Sequence, residues 1–465
     1  MVSEMKVQVL NKETIKPSSP TPPDLRNLRL SFFDQFEPEI FIPLLLFYRN
    51  KPCAAVADDQ ERSNFLKTSL SEALTHFYPF AGEFQRNDSI YCNDHGVAFL
   101  QAQVNCYMSM VFDKPDDEIL EQLVPTDKES TLSNTDYLLL IQANFFECGG
   151  LAIGVSFAHK VSDAFTICKF IERWAAIALG SASTTDHHVV LPGEFGVSAS
   201  LFPPLDIFNS PDFAVTLSTE GSKTRRFVFD ASKIATLKSK AASTTPNPTR
   251  VEVVSALIWK CAIQASRSKL GIIKPSMLCP IVNMRKRSRQ ALAENILGNC
   301  VWSFAAMTVE SEIEHESLVA KLRKGIEEHI EKYPNGVSGN DIIEAAKESG
   351  GSKLLDSDDI DIYTCSSWCR FSFYEADFGW GKPSWVSVRS LYKNTILLMD
   401  MRDGDGIEAS LTLKEDDMAQ FENRGAACIC FSESNCHFVR SRNPFDACTL
   451  SVISFHFSLF VYVII

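Results

Sequence analysis

The sequence lacks any surplus of positive charge: 45 Lys and Arg stand against 58 Asp and Glu, a formal net charge of -13. Such a chain repels nucleic acid and anionic lipid at long range, which argues against either as a partner. The N-terminus, Met-Val-Ser-Glu-Met-Lys-Val-Gln-Val-Leu, has no apolar stretch followed by a small-residue cleavage site, so a cytosolic (cytoplasmic) setting is expected. The 14 Cys follow no regular spacing and read as buried or free thiols, not as a disulfide framework. No internal repeat runs at a fixed period, and no stretch combines low hydrophobicity with high charge. At 45% hydrophobic and 22% charged residues the chain should fold as an ordinary globular protein.

Several catalytic signatures are also missing. There is no Gly-x-Ser-x-Gly elbow for a serine esterase and no His-Glu-x-x-His helix for zinc. Cys428, Cys430, Cys436 and His437 are clustered, but in a segment of odd composition, and no metal is expected. Cys148 as a nucleophile has no base near it in sequence, which ranks a hydrolase low. The run Gly379-Trp-Gly-Lys-Pro-Ser384 is no phosphate loop, because the spacing between the glycines is wrong and a Pro follows the Lys.

What is present suggests two domains, since 465 residues exceed one ordinary core. The four prolines of Ile15-Lys-Pro-Ser-Ser-Pro-Thr-Pro-Pro23 predict an extended lead-in, with regular structure beginning after it. Residues 41–48 read as a buried strand, and 61–77 as a helix with Phe65, Leu66, Leu70, Ala73, Leu74 and Phe77 on one face. The apolar runs 137–146 and 151–157 flank Glu147-Cys-Gly-Gly150 as a hairpin. Beyond them Ser162 or Asp163 is placed to cap a helix running through Trp174. Composition turns to Ser, Thr and Pro over 181–222, the expected crossover between an N-terminal domain, 1–180, and a C-terminal one, 223–423. Thr249-Arg-Val-Glu252 predicts a capping box opening a helix to Ala265. Strands are expected at 278–282, 385–388 and 395–399, and a helix at 317–333. This alternation favours a mixed α/β fold. Residues 424–465 end in an apolar run, 449–465, at the short limit for crossing a bilayer. They are read as an atypical tail outside the fold, with no membrane partner expected.

Of nine His, His159 is the one with an Asp four positions on, in Ser156-Phe-Ala-His-Lys-Val-Ser-Asp163. An imidazole titrates near working pH and can take a proton from an alcohol, although spacing alone equally allows a junction histidine bonded to a carbonyl. Asp377-Phe-Gly-Trp-Gly381 by itself reads as a tight turn, with Gly379 and Gly381 supplying backbone freedom and Trp380 an anchor. Together the two motifs resemble the paired signature of the plant BAHD acyltransferases. Leu30-Ser-Phe-Phe-Asp-Gln35, Tyr78-Pro-Phe-Ala-Gly82, Asn93-Asp-His-Gly-Val97, Cys148-Gly-Gly150, Val282-Asn-Met-Arg285 and Gly298-Asn299 are similar to the same family, over about residues 5–423. The lead-in and Ser367-Trp-Cys-Arg370 lie nearest its branch of vinorine synthase-like alkaloid and alcohol acetyltransferases.

The resemblance implies a two-domain, chloramphenicol acetyltransferase-like fold. Each domain would be a mixed β-sheet with flanking helices, with a tunnel between them where His159 acts as general base. Acyl-CoA, in the first place acetyl-CoA, would be the cosubstrate and a small-molecule alcohol the acceptor, in a monomer with no permanently bound cofactor. Malonyl or hydroxycinnamoyl transfer and an inactive, binding-only homologue are the alternatives. Asp163 and Asp377 are named with the catalytic residues, each with a structural role expected, Asp163 by pairing with Arg285. For the anionic coenzyme the candidate contacts are Thr249 and Arg250 at a helix start, and Arg285 if it is not paired with Asp163; the basic run Met284-Arg-Lys-Arg-Ser-Arg289 reads equally as a solvated loop. Asn299 and Ser303 are chemically able oxyanion donors whose geometry the sequence leaves open.

Overall fold

The computed structural model describes residues 5–50, 58–113, 115, 117–125, 136–180, 194–209, 221–270, 274–285, 296–309, 313–333, 336–348, 360–390 and 392–425. The basic run at 286–289, the Cys428 to His437 cluster and the apolar end 449–465 lie outside them.

The chain divides into two compact units, one of Met1–Ala214, Asn283–Val301 and Arg370–Ser390, the other of Val215–Val282, Trp302–Cys369 and Leu391–Ile465. Segments 283–301 and 370–390, placed in a C-terminal domain by their position in the chain, thus fold with the N-terminal residues. A single boundary at 181–222 does not express that arrangement.

The first unit is built on a six-stranded mixed sheet. Its strands are β1 (Val7–Ile15), β2 (Phe41–Tyr48), β3 (Val97–Val104), β4 (Leu139–Phe146), β5 (Leu151–Ala158) and β6 (Trp385–Val388), in the order β1-β3-β4-β5-β2-β6. β3 and β4 run parallel and the other neighbours antiparallel. β1 precedes the proline-rich lead-in, earlier than the sequence reading starts regular structure. It is an edge strand with mostly exposed side chains, so it carries little hydrophobic signal. β4 and β5 are buried at every position, as the continuous apolar runs require of central strands. They join through the turn at 147–150, where Gly149 takes φ +73°.

Helix α1 (Phe32–Phe36) is a short turn fixed by reciprocal bonds between Ser31 and Asp34. α2 (Asp59–His76) starts at a second capping box, Asp58 with Glu61, and buries Leu66, Leu70, Ala73 and Leu74. Phe65, read from its spacing as part of that face, is instead 42% exposed and meets the edge of Trp380. α3 (Ala164–Ala178) packs on α2, and the Trp174 indole N–H is shared between Leu66 O and Ser69 Oγ, at 3.2 and 3.0 Å. Within the stretch expected to be a featureless crossover, a helix forms at Glu194–Leu201, and the residues after it pack on α1. Phe202 lies 4.8 Å from Phe33 and Phe208 4.9 Å from Phe36, ring centre to ring centre.

In the second unit a sheet ordered 301–303, 276–283, 361–367, 395–400, 407–414, 222–229 is covered by α4 (Arg250–Leu270) and the helix His315–Lys332. Trp259, Ile258, Leu322, Ile396 and Leu411 lie in the core between them. α4 opens with the expected box: Thr249 N donates to Glu252 at 2.7 Å and Glu252 N to Thr249 Oγ1 at 3.2 Å. No described helix is long and apolar enough to cross a membrane.

One position in β5 tests this packing. A Cβ on Gly154 would stand 2.2 Å from Leu123 O, an atom that also accepts the Asn144 amide at 2.7 Å. Backbone cannot retreat as a side-chain tip can, so Gly154→Ala should destabilise the protein by about 1–3 kcal/mol. A melting temperature several degrees below wild type is the expected reading; an unchanged one would show that the 123–124 segment does not press on β5.

Candidate active site

His159 is the first residue beyond β5. Its position is fixed from both sides, since Ala158 pairs with Phe41 of β2 and the His159 N–H donates to Ile40 O at 2.9 Å. A single turn, His159–Val161, then leads to Asp163, the N-cap of α3. The imidazole is 15% exposed. Nδ1 is buried with no hydrogen-bond partner, while Nε2 lies 3.4 Å from Glu37 Oε2. Glu37 ends α1, with its N–H on Asp34 O at 3.3 Å, and its side chain is only 2% exposed.

The Asp163 carboxylate is bonded to other groups, not to this ring. Arg285 Nη1 donates to its Oδ2 at 2.6 Å and Nη2 to its Oδ1 at 3.3 Å, with 1% and 3% of the two side chains exposed. The carboxylate also accepts Thr166 N at 2.9 Å, capping α3, and Cys300 N at 3.1 Å. Arg285 completes its bonding on Ile296 O and Gly298 O, each at 2.8 Å, and its guanidinium lies 4.3 Å from the centre of the Phe165 ring. Buried and fully occupied, Arg285 has no donor left for a phosphate, which corrects its candidacy as a coenzyme contact.

The segment held by that pair carries Asn299. Its side-chain amide donates to Asp34 Oδ1 at 3.0 Å and to His159 O at 2.8 Å, and its backbone N–H to the same Asp34 oxygen at 2.7 Å. With both amide hydrogens used, Asn299 holds the His159 junction and is not available as an oxyanion donor. Ser303 is buried and belongs to the second unit.

Burial dominates the electrostatics. It pushes the Glu37 carboxyl well above the usual carboxylate range, and the negative charges of Asp163 and Asp34 push the same way. Burial likewise lowers the His159 imidazole, against opposing pulls from its own backbone carbonyl and from Asp163. Both directions favour uncharged forms, so His159 keeps a lone pair at neutral pH.

The other motif serves the sheet. Asp377 Oδ1 accepts the N–H groups of Gly379 and Gly381, each at 2.8 Å, closing a turn in which both glycines take φ near +100° (103° and 102°). Trp380 stacks near Phe378 and meets Tyr48, whose hydroxyl donates to Ala376 O at 3.0 Å. The turn therefore sits at the Tyr48 end of β2, whereas His159 follows the residue paired with Phe41. The seven-residue separation amounts to roughly 20 Å of strand. Thr249 caps α4, and the Arg250 guanidinium is turned onto Gly404 O, Asp405 O and Asp400 Oδ1, at 2.7, 3.1 and 2.9 Å. Three of the five guanidinium N–H groups of Arg250 are thus engaged, on a side chain that is 25% exposed.

A model of the Transferase family, the BAHD enzymes, matches residues 5–427. The chain belongs to the BAHD acyltransferase family. Akuammiline synthase 1 of Alstonia scholaris is 40% identical over 423 residues, 90% of this acyltransferase and 96% of the relative. Stemmadenine O-acetyltransferase of Catharanthus roseus is 35% identical over 430 residues, covering 90% and 96%. The crystal structure of vinorine synthase, a protein of Rauvolfia serpentina, superposes with a TM-score of 0.77 at 35% identity over 89% of this chain and 96% of that one.

Glu37 and the tether formed by Asn299 were not identifiable as site residues from sequence. The local signal available was Ser31-Phe-Phe-Asp34, a capping pattern that places Glu37 at the end of a fixed turn but says nothing of what it faces. For the BAHD acyltransferase the geometry separates two effects. Asp163→Asn leaves the Arg285 charge buried without its partner, at a cost of about 3–5 kcal/mol. Soluble yield and melting temperature should fall at least as far as turnover per folded molecule. A variant that folds normally but turns over as slowly as His159→Ala would contradict this assignment.

Proposed function

We propose that this acyltransferase moves an acyl group from acyl-CoA, acetyl-CoA in the first place, to a hydroxyl of a plant specialised metabolite, with His159 as general base. The observation that carries the reading is a partly exposed imidazole at a strand end whose backbone is fixed on both sides, with nothing bonded to Nδ1 and with Nε2 facing the Glu37 carboxyl. In this scheme Nε2 takes the proton of the acceptor hydroxyl as its oxygen attacks the thioester carbonyl. The tetrahedral intermediate then expels the coenzyme A thiolate, which recovers the proton from the imidazolium. No acyl-enzyme is required.

Acetyl as donor and an oxygen nucleophile rest on relatives such as stemmadenine O-acetyltransferase, and an alkaloid acceptor on the same similarity. Asp163 and Asp377 enter this scheme as structural residues. The nine described cysteines, seven of them buried, form no disulfide, which suits a cytosolic protein.

Release of free thiol from acetyl-CoA in the presence of a pool of alcohols and alkaloids tests the proposal. His159→Ala should reduce turnover by roughly 10²- to 10⁴-fold. Its fold should survive, because the bonds to Ile40 and Asn299 use the His159 backbone. Because burial lowers the pKa of the base, the acid limb of kcat/KM should fall below the ordinary imidazole value of 6.5. Thiol release that persists undiminished in His159→Ala, or an acid limb above that value, would count against His159.

A further inference from the structure

Three acids crowd the base, and two of them have all the partners they need. Asp163 has Arg285, Thr166 N and Cys300 N. Asp34 has Ser31 Oγ at 2.6 Å, Ser31 N at 2.9 Å and both donors of Asn299. Glu37 is different. Its Oε2 is buried without a hydrogen-bond partner, and the group facing it is His159 Nε2, 3.4 Å away. The nearest cation does not serve it. Lys160 donates to Gln35 O at 3.1 Å and to Asn87 Oδ1, and lies 4.0 Å from Glu39.

A buried carboxyl left unbonded is unfavourable, and the arrangement persists because the remainder of α1 is over-determined. The Ser31–Asp34 box, the Phe202 and Phe208 rings and the Leu205 N–H on Gln35 Oε1, at 2.7 Å, all hold the turn that ends in Glu37. Any hydroxyl that bonds Nε2 stands beside this carboxyl. The atom one or two bonds further along the acceptor is then within its reach.

We infer that Glu37 selects acceptors that carry a basic nitrogen close to the reacting hydroxyl, forming an ion pair with that nitrogen while Nε2 receives the hydroxyl proton. The inference rests on His159 serving as the base. Charge balances by either route. An amine that arrives unprotonated takes the proton of the Glu37 carboxyl, and one that arrives as ammonium displaces that proton to solvent. In both cases one carboxylate faces one ammonium, and the site's unsatisfied acceptor is satisfied. An acceptor with carbon in place of the nitrogen leaves the carboxyl as it was, and sites built around a specific polar contact reject analogues that lack it.

The test uses a matched pair, a cyclohexanol with a dimethylamino group on the adjacent carbon and the same cyclohexanol with isopropyl there. For wild type, kcat/KM with acetyl-CoA should favour the amine by roughly tenfold or more. In Glu37→Gln and Glu37→Ala, with folding checked by melting temperature, the ratio should collapse towards one. Calorimetric binding of the two compounds reads the same preference without turnover. An enzyme that transfers to neither compound yet binds the amine selectively through Glu37 would refute the proposed reaction and leave this inference standing. Equal binding of both compounds by wild type, binding of neither, or a ratio unchanged in both variants would overturn it. The last result would leave Glu37 as a positioning residue for His159 alone.

Discussion

Asp163 and Arg285 bury opposite charges 2.6 Å apart, and the rest of the site depends on that pair. A buried ion pair adds little net stability, because the desolvation of each charge offsets most of the attraction. Its effect here is on geometry. The carboxylate caps α3 through Thr166 and accepts Cys300 N, and the guanidinium binds Ile296 O and Gly298 O, so the start of the helix and the segment 296–300 cannot shift independently. Asn299 stands inside that segment and holds the His159 carbonyl on one side and Asp34 on the other. The backbone on which the imidazole rides is anchored through the ion pair.

The same frame explains why two titratable groups can face each other uncharged. His159 and Glu37 both lose hydration, and desolvation moves their pKa values in opposite directions, up for the acid and down for the base. A charged pair would gain attraction, but the carboxylates of Asp34 and Asp163 already lie close by and make a third negative charge unfavourable. Asp34 could not relieve this by moving, since Gly298, at φ +93°, brings its backbone against the Asp34 carboxyl, where even a Cβ would stand 3.2 Å from Oδ1. Burial therefore favours the neutral imidazole against the pull of the surrounding carboxylates, whereas burial and those same charges together favour the neutral form of Glu37.

How much of this was legible in the sequence depended on whether the signal was local. β4 and β5 are continuous apolar runs and β2 is nearly so, the turn at 147–150 contains two glycines, and the Thr249–Glu252 box closes as its residue types dictate. β1 was missed because an exposed edge strand shows no apolar alternation, and the helix at Glu194–Leu201 because it is short and flanked by prolines on both sides. The pairing of Asn299 with Asp34 spans 265 positions, and no spacing rule reaches that far. The discontinuous first unit is a long-range fact of the same kind. Glu37 was invisible for a different reason: an acid next to a proline reads as surface, and the contacts that hold its turn, from Phe202, Leu205 and Phe208, come from far along the chain.

The separation of the two signature motifs follows from the sheet. β2 lies between β5, which delivers His159, and β6, which follows the Asp377 turn. At one end Phe41 pairs with Ala158 and fixes the approach to His159; at the other Tyr48 bonds Ala376, and Trp385 pairs with Phe47 and stacks on its ring with centroids 4.9 Å apart. A strand buried along most of its length transmits displacement along its axis, since its neighbours leave no slack for a register slip. The Asp377 turn is thus tied to the His159 junction through the register of β2. Loosening its turn would act on the position of Ile40 and Phe41, and from there on the His159 N–H.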